Sequence, residues 1–150
     1  MVQTLETYSL LTIGYEGRTS SELLSALVRA DVTALVDVRL TPLSRKPGLS
    51  KRYLANQLEQ VNIWYRHMPA LGNPRDNRDA FRQGVTQSRT RFRTLLQTSA
   101  AQQALEELRS LIYERRVALL CFEQDAATCH RAIVSDTLLS NDPTLVVEHL

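Results

Sequence analysis

A chain of 150 residues with 43% hydrophobic and 23% charged side chains has the size of one domain and enough apolar surface to bury a core, which excludes an intrinsically disordered chain. A formal net charge of +2, from 18 Lys and Arg against 16 Asp and Glu, excludes a bulk polycation. No apolar run reaches the roughly 20 residues that cross a bilayer, Met1 to Glu6 lacks a basic region followed by an apolar stretch, and two cysteines make no disulfide framework, so a cytoplasmic protein with reduced thiols and no membrane partner is expected.

Ser9 to Ile13 reads as a short buried strand ending at Gly14, after which Thr19 or Ser20 caps a helix through Leu23, Leu24, Leu27 and Val28, with Glu22 near its positive end. Ala34 to Arg39, β-branched and apolar, predicts a second strand that breaks into the loop Thr41 to Gly48, punctuated by Pro42, Pro47 and Gly48. Ser50 restarts a helix carrying Tyr53, Leu54, Leu58 and Val61, and Ile63 to Met68 is a third strand running into a second loop around Pro69 and Pro74. From about Arg78 to Arg116 the period is helical, with interruptions expected at Gly84 and Thr98-Ser99. Val117 to Phe122 predicts a fourth strand. Asp125 then caps a helix that carries Cys129, His130 and Arg131 in its first turns and runs to about Leu139, before a fifth strand from Thr144 to His149. Strands alternate with helices throughout, so residues 1–150 are expected to form a single three-layer α/β domain: a mostly parallel sheet of about five strands, helices on both faces, right-handed crossovers.

That architecture directs attention to one rim, because open α/β sheets bind ligands beyond the carboxyl ends of their strands. Tyr15, Arg39, His67 and Glu123 each follow or close a predicted strand, and with His130 and Arg131 they are expected to approach one pocket. Arg39, Arg131 and, from the loop, Arg45 carry the forked donors that suit carboxylate or phosphate; Tyr15 and His67 complete the ligand-binding set. Glu123 and His130 are the candidates for moving protons. Cys129, near a helix start and beside His130 and Arg131, has the surroundings of an activated thiolate, whereas its helical spacing with Ile133, Val134 and Leu138 suits a buried small hydrophobe, the reading favoured here. An Asp37 to Arg39 to Glu123 network that only fixes loops is the competing account of the charges. Asp37, inside an apolar strand, needs a partner in either case. Cys121 reads as core.

A metal site from His67, Cys121, Cys129 and His130 is not expected, since paired short ligand motifs are absent. Gly14-Tyr15-Glu16-Gly17 is no dinucleotide fingerprint, which leaves any cofactor open. Arginines crowd positions 66, 75, 78, 82, 89, 91 and 93; a solvated helix face is the reading favoured for them over a nucleic-acid contact.

Thr12-Ile13-Gly14-Tyr15-Glu16-Gly17, Leu35-Val36-Asp37-Val38-Arg39, Pro42-Leu43-Ser44-Arg45-Lys46, Leu71-Gly72, Leu120-Cys121-Phe122-Glu123 and Cys129-His130-Arg131 together resemble the domain-of-unknown-function family DUF488, from about Thr12 to Leu139. The resemblance implies a small α/β domain with these motifs gathered at one end of the sheet, and it implies no established reaction. Phe122 departs from the small residue often found there, and Asp125-Ala126 from a commoner Asp-Pro. Three functions follow as expectations: binding or processing of a phosphorylated or otherwise anionic substrate such as a nucleotide or nucleic acid; a non-catalytic module binding the same ligands; and, on a partial likeness of Val36 to Arg39 to rhodanese-like domains, cysteine-based sulfur or phosphate chemistry. The last is disfavoured because Cys121 and Arg131 lie too far apart to flank a phosphate loop.

Overall fold

A computed structural model describes residues 6–150; the reading of the first five residues as free of a leader lies outside the described residues. Five strands, β1 (Tyr8–Gly14), β2 (Ala34–Asp37), β3 (Trp64–His67), β4 (Val117–Cys121) and β5 (Leu145–His149), form one sheet in the order β3-β2-β4-β1-β5, and every pairing is parallel. The helices are α1 (Ser20–Arg29), α2 (Lys51–Gln60), α3 (Arg78–Arg82), α4 (Thr86–Leu95), α5 (Ser99–Glu114) and α6 (His130–Ser140). The α/β class, the parallel sheet and the three layers match the expectation from sequence. Among the described residues no helix is long and apolar enough to cross a membrane.

Central strands of a parallel sheet are covered on both faces and so need uninterrupted apolar runs. Ala34–Asp37 and Val117–Cys121 are buried at every position, whereas edge strand β3 alternates between exposed and half-buried residues. Alternate side chains then feed two cores. Leu11, Ile13, Leu35, Ala118 and Leu120 face one layer, where Leu23 and Leu27 of α1 and Leu54 and Leu58 of α2 pack. Leu10, Val36, Val117 and Leu119 face the other, with Phe81, Phe92, Leu105, Leu108 and Ile133 from α3 to α6. The start of α1 is secured by a capping box: Thr19 Oγ1 accepts from the Glu22 amide and Glu22 Oε1 accepts from the Thr19 amide, both at 3.1 Å.

Several boundaries differ from the sequence reading, each for a local reason. β2 ends at Asp37 rather than Arg39 because the Asp37 carboxylate takes the Arg39 amide at 3.1 Å and curls the chain out of the sheet. The long helical stretch divides at Gly84, whose φ of 76° is left-handed, and at Thr98, which caps α5 by accepting from the Ala101 amide. Asp125 does cap, but it caps a short 3₁₀ turn, Ala126–Thr128, through the Ala127 amide. Cys129 then adopts an extended backbone (φ −120°, ψ 143°) and α6 begins at His130, so Cys129 is the residue at the N-cap rather than one inside the first turn. Val28 of α1, Tyr53 of α2 and Val61 just after α2 are exposed.

The strand order positions the site. From β2 the chain moves outward to β3, and from β4 it moves the opposite way to β5, on the other face of the sheet. Neighbouring strands whose connections diverge leave a crevice between their carboxyl ends.

Candidate functional site

A cleft of about 130 Å³ opens where β2 and β4 diverge. Arg39 and Leu40 leave β2 along one side, Cys121 and Glu123 leave β4 along the other, Tyr15 follows β1, and Arg78, Phe81 and Arg82 of α3 form the outer wall. Two glycines allow these segments to meet. A Cβ on Gly14 would stand 1.8 Å from the Glu123 carbonyl oxygen, and one on Gly72 2.6 Å from Leu40 Cα, so only glycine lets each loop come so near.

Arg39 lines the cleft, with Asp37 fully buried beneath it. Arg39 Nε donates to Asp37 Oδ1 at 2.9 Å and Nη2 to Oδ2 at 2.7 Å, while Nη1 donates to the Leu49 carbonyl at 2.7 Å and lies 3.5 Å from the Tyr15 hydroxyl. Tyr65 donates its hydroxyl to Asp37 Oδ2 at 2.6 Å, and burial together with Asp37 pushes that hydroxyl far above its usual range. The buried acid thus has the partner its position demanded. Glu123 stands outside this network, contrary to the three-member chain considered from sequence: its Oε1 accepts from Arg82 Nε at 3.0 Å. Arg82 also lies over the Phe122 ring, 5.7 Å from its centroid.

Beside Glu123, Cys121 at the end of β4 meets Cys129 and His130 at the start of α6. Cys121 Sγ and Cys129 Sγ each lie 3.7 Å from His130 Nδ1, and Glu123 Oε2 lies 3.6 Å from Cys121 Sγ. The other ring nitrogen, Nε2, is 2.8 Å from the Val38 carbonyl oxygen. A carbonyl only accepts, so Nε2 bears a proton, and Nδ1 is the ring nitrogen that faces the two sulfurs. Hydrogen bonding to Cys129 and burial hold the Cys121 thiol well above its usual range. Burial opposes ionisation of Cys129 too, but the Cys121 thiol, His130 and Arg131 outweigh it and bring Cys129 well below. The His130 ring is moved up despite its burial, chiefly by Cys129. Burial likewise pushes the Glu123 carboxyl up, against the pull of Arg82. Cys129 is buried, as favoured from sequence, yet it sits against an imidazole rather than among hydrocarbons alone.

Tyr15, Arg39, Glu123 and His130 are therefore brought together on the cleft, with Cys129 behind His130. Arg131 is not on it. Its side chain is fully buried, and its guanidinium donates to Thr12 Oγ1 and to the carbonyls of Glu123 and Gln124, so it ties β1 to the turn after β4 instead of presenting a fork to a ligand. His67 closes β3 as expected but turns Nε2 to the Arg39 carbonyl at 2.7 Å, outside the cleft lining. Arg45 is exposed in an adjoining groove, while its neighbour Lys46 is tied down through Nζ to the carbonyls of Tyr15 and Arg18.

Cys121, Arg78 and Arg82 are cleft residues that sequence reasoning left out of the site. Cys121 belongs to the core by composition, and only its place as the last residue of β4 turns its sulfur towards the rim. Arg78 and Arg82 were visible as part of the arginine-rich stretch, and their four-residue spacing puts them on one helix face; nothing in that spacing says which face meets the sheet. Residues 19–138 of the chain match a family model described as "Domain of unknown function DUF488". No curated protein and no solved structure matches the chain.

Proposed function

The chain belongs to the DUF488 family of domains of unknown function, and from its cleft we propose that it binds, and processes, a phosphorylated or otherwise anionic substrate of the nucleotide or nucleic-acid class. One observation carries the reading. Arg45, Arg75 and Arg78 line a groove that joins the cleft through Thr41, Leu43 and Arg78 itself, and among the described residues none of the three has a carboxylate within ion-pair distance. In a chain with a net charge of only +2, such a concentration of unpaired guanidinium groups repels itself until an anion arrives. Guanidinium forks match phosphate oxygens in pairs, and the groove continues the cleft. The processing half of the reading rests on the wall: Glu123 and His130 reach the cleft beside Cys121, with Cys129 behind them.

Titration calorimetry with a nucleoside monophosphate and with a short single-stranded oligonucleotide, at low and high salt, tests this. Both ligands bind at low salt and weaken as salt rises, and Arg78→Ala costs about 1.5–3 kcal/mol of affinity and lowers the salt slope for the oligonucleotide by about one. Affinity unchanged in Arg78→Ala rules the reading out. Glu123→Gln separates processing from binding: turnover of a phosphorylated substrate that disappears in this variant while binding persists marks an enzyme, and binding without turnover in the natural chain marks a module.

A further inference from the structure

The cluster at the head of α6 has a second property, independent of the anion reading. We propose that Cys121 Sγ, Cys129 Sγ and His130 Nδ1 form a three-ligand zinc(II) site whose fourth position opens on the cleft beside Glu123 Oε2. The three donor atoms lie within 4.8 Å of one another, with both sulfurs 3.7 Å from Nδ1. A tetrahedral zinc ion with bonds of about 2.3 Å to sulfur and about 2.0 Å to nitrogen requires ligand-to-ligand edges of roughly 3.5–3.8 Å, so the groups need little rearrangement to hold it. The nitrogen facing the sulfurs is the one free to ligate, because the Val38 carbonyl fixes the proton on the other at 2.8 Å. Such a hydrogen bond is the outer partner that metal-bound histidines ordinarily have.

Charge and softness agree. Two thiolates neutralise a divalent ion, and the Glu123 carboxylate alongside is already met by Arg82. A donor set of two sulfurs and an imidazole suits zinc and disfavours magnesium or calcium. The ligands come from a strand end and a helix start, elements that hold them in place without a ligand. Their burial closes three sides: Cys129 is 1% exposed, His130 5% and Cys121 6%. Cys121 and His130 line the cleft, and Glu123 Oε2 stands 3.6 Å from the Cys121 sulfur, so the open side is the one a ligand in the cleft would reach. Three protein ligands with a free fourth position is the pattern of zinc sites that act on a bound molecule rather than only brace a fold.

Cobalt(II) reports on this geometry directly. The full chain, freed of metal with a chelator under reducing conditions, is titrated with cobalt and then zinc. One cobalt per chain gives the intense visible bands of four-coordinate cobalt and a near-ultraviolet thiolate-to-cobalt band, and one equivalent of zinc bleaches both. Cys129→Ser removes one thiolate of two and cuts the charge-transfer band by about half or more. Glu123→Gln keeps all three ligands, so it retains stoichiometric cobalt and shifts only the visible bands. A natural chain that shows only the pale spectrum of hexa-aqua-like cobalt, or that carries a Cys121 to Cys129 disulfide under these conditions, overturns the proposal without recourse to any variant. So does a charge-transfer band unaltered in Cys129→Ser. None of these readings involves phosphate, so their failure leaves the anion reading standing, and the reverse holds equally.

Discussion

Replacing Arg131 with alanine distinguishes a scaffold arginine from a ligand-binding one. The side chain is fully buried, Nε donates to Thr12 Oγ1 at 3.2 Å, Nη2 to the Gln124 carbonyl at 3.2 Å, and Nη1 to the Glu123 carbonyl. Each charge-assisted hydrogen bond contributes about 1.5–3 kcal/mol, but simple addition overstates the loss, since water entering the space left behind re-solvates part of the freed carbonyls. A buried acceptor left without its donor costs about 1–3 kcal/mol, so with three acceptors partly re-solvated the expected destabilisation of Arg131→Ala is about 3–5 kcal/mol. For a domain of this size each kcal/mol corresponds to roughly 2–4 °C, so the melting temperature falls by about 6–20 °C. Arg131→Met fills the volume yet leaves the same acceptors bare and falls nearly as far. Arg131→Lys recovers only part, because one ammonium cannot serve three acceptors fixed by a planar fork. Scanning calorimetry with and without inorganic phosphate measures both quantities: the folded variant keeps the stabilisation that phosphate gives the natural chain. A variant that melts within about 2 °C of the natural chain but no longer responds to phosphate refutes the structural assignment.

Gly14→Ala places a Cβ 1.8 Å from the Glu123 carbonyl oxygen, so the β1 end or the Glu123 turn must shift, at a cost of about 1–3 kcal/mol in urea denaturation; a change below about 0.5 kcal/mol contradicts the close approach. Asp37→Ala strands the buried Arg39 guanidinium and deprives Tyr65 of its acceptor, with an expected loss of about 3–5 kcal/mol by the same measurement, against near-neutrality if the pair were surface-like. The Tyr65 hydroxyl, held protonated by burial and by Asp37, keeps its proton in the folded chain where the unfolded chain loses it above about pH 10. The folded state then binds more protons, so stability is intact below that pH and declines above it by at most about 1.4 kcal/mol per unit; Tyr65→Phe flattens that alkaline decline, and an equal slope in both proteins would exclude Tyr65 as its source.

The sequence by itself determined the elements and the rim. Uninterrupted apolar runs at Ala34–Asp37 and Val117–Cys121 announce strands covered on both faces, and their alternation with helices of 3.6-residue period leaves a parallel α/β sheet as the arrangement that buries both. Once the sheet is parallel, Tyr15, Arg39, His67 and Glu123 must emerge at the same end, because each follows its strand in the same direction. Only the tertiary structure decided what those residues do there. Hydrogen-bond partners depend on which strands are neighbours: placing β4 between β2 and β1 sets the Glu123 and Gln124 carbonyls where Arg131 must satisfy them, and sets the Val38 carbonyl where it orients His130. Side-chain rotation at an element's end is equally invisible to periodicity. Cys121 reads as core from its run of apolar neighbours and Cys129 as a buried hydrophobe from its spacing, and both do lie in the core; what periodicity cannot show is that the turn between β4 and α6 also brings both sulfurs to one imidazole nitrogen.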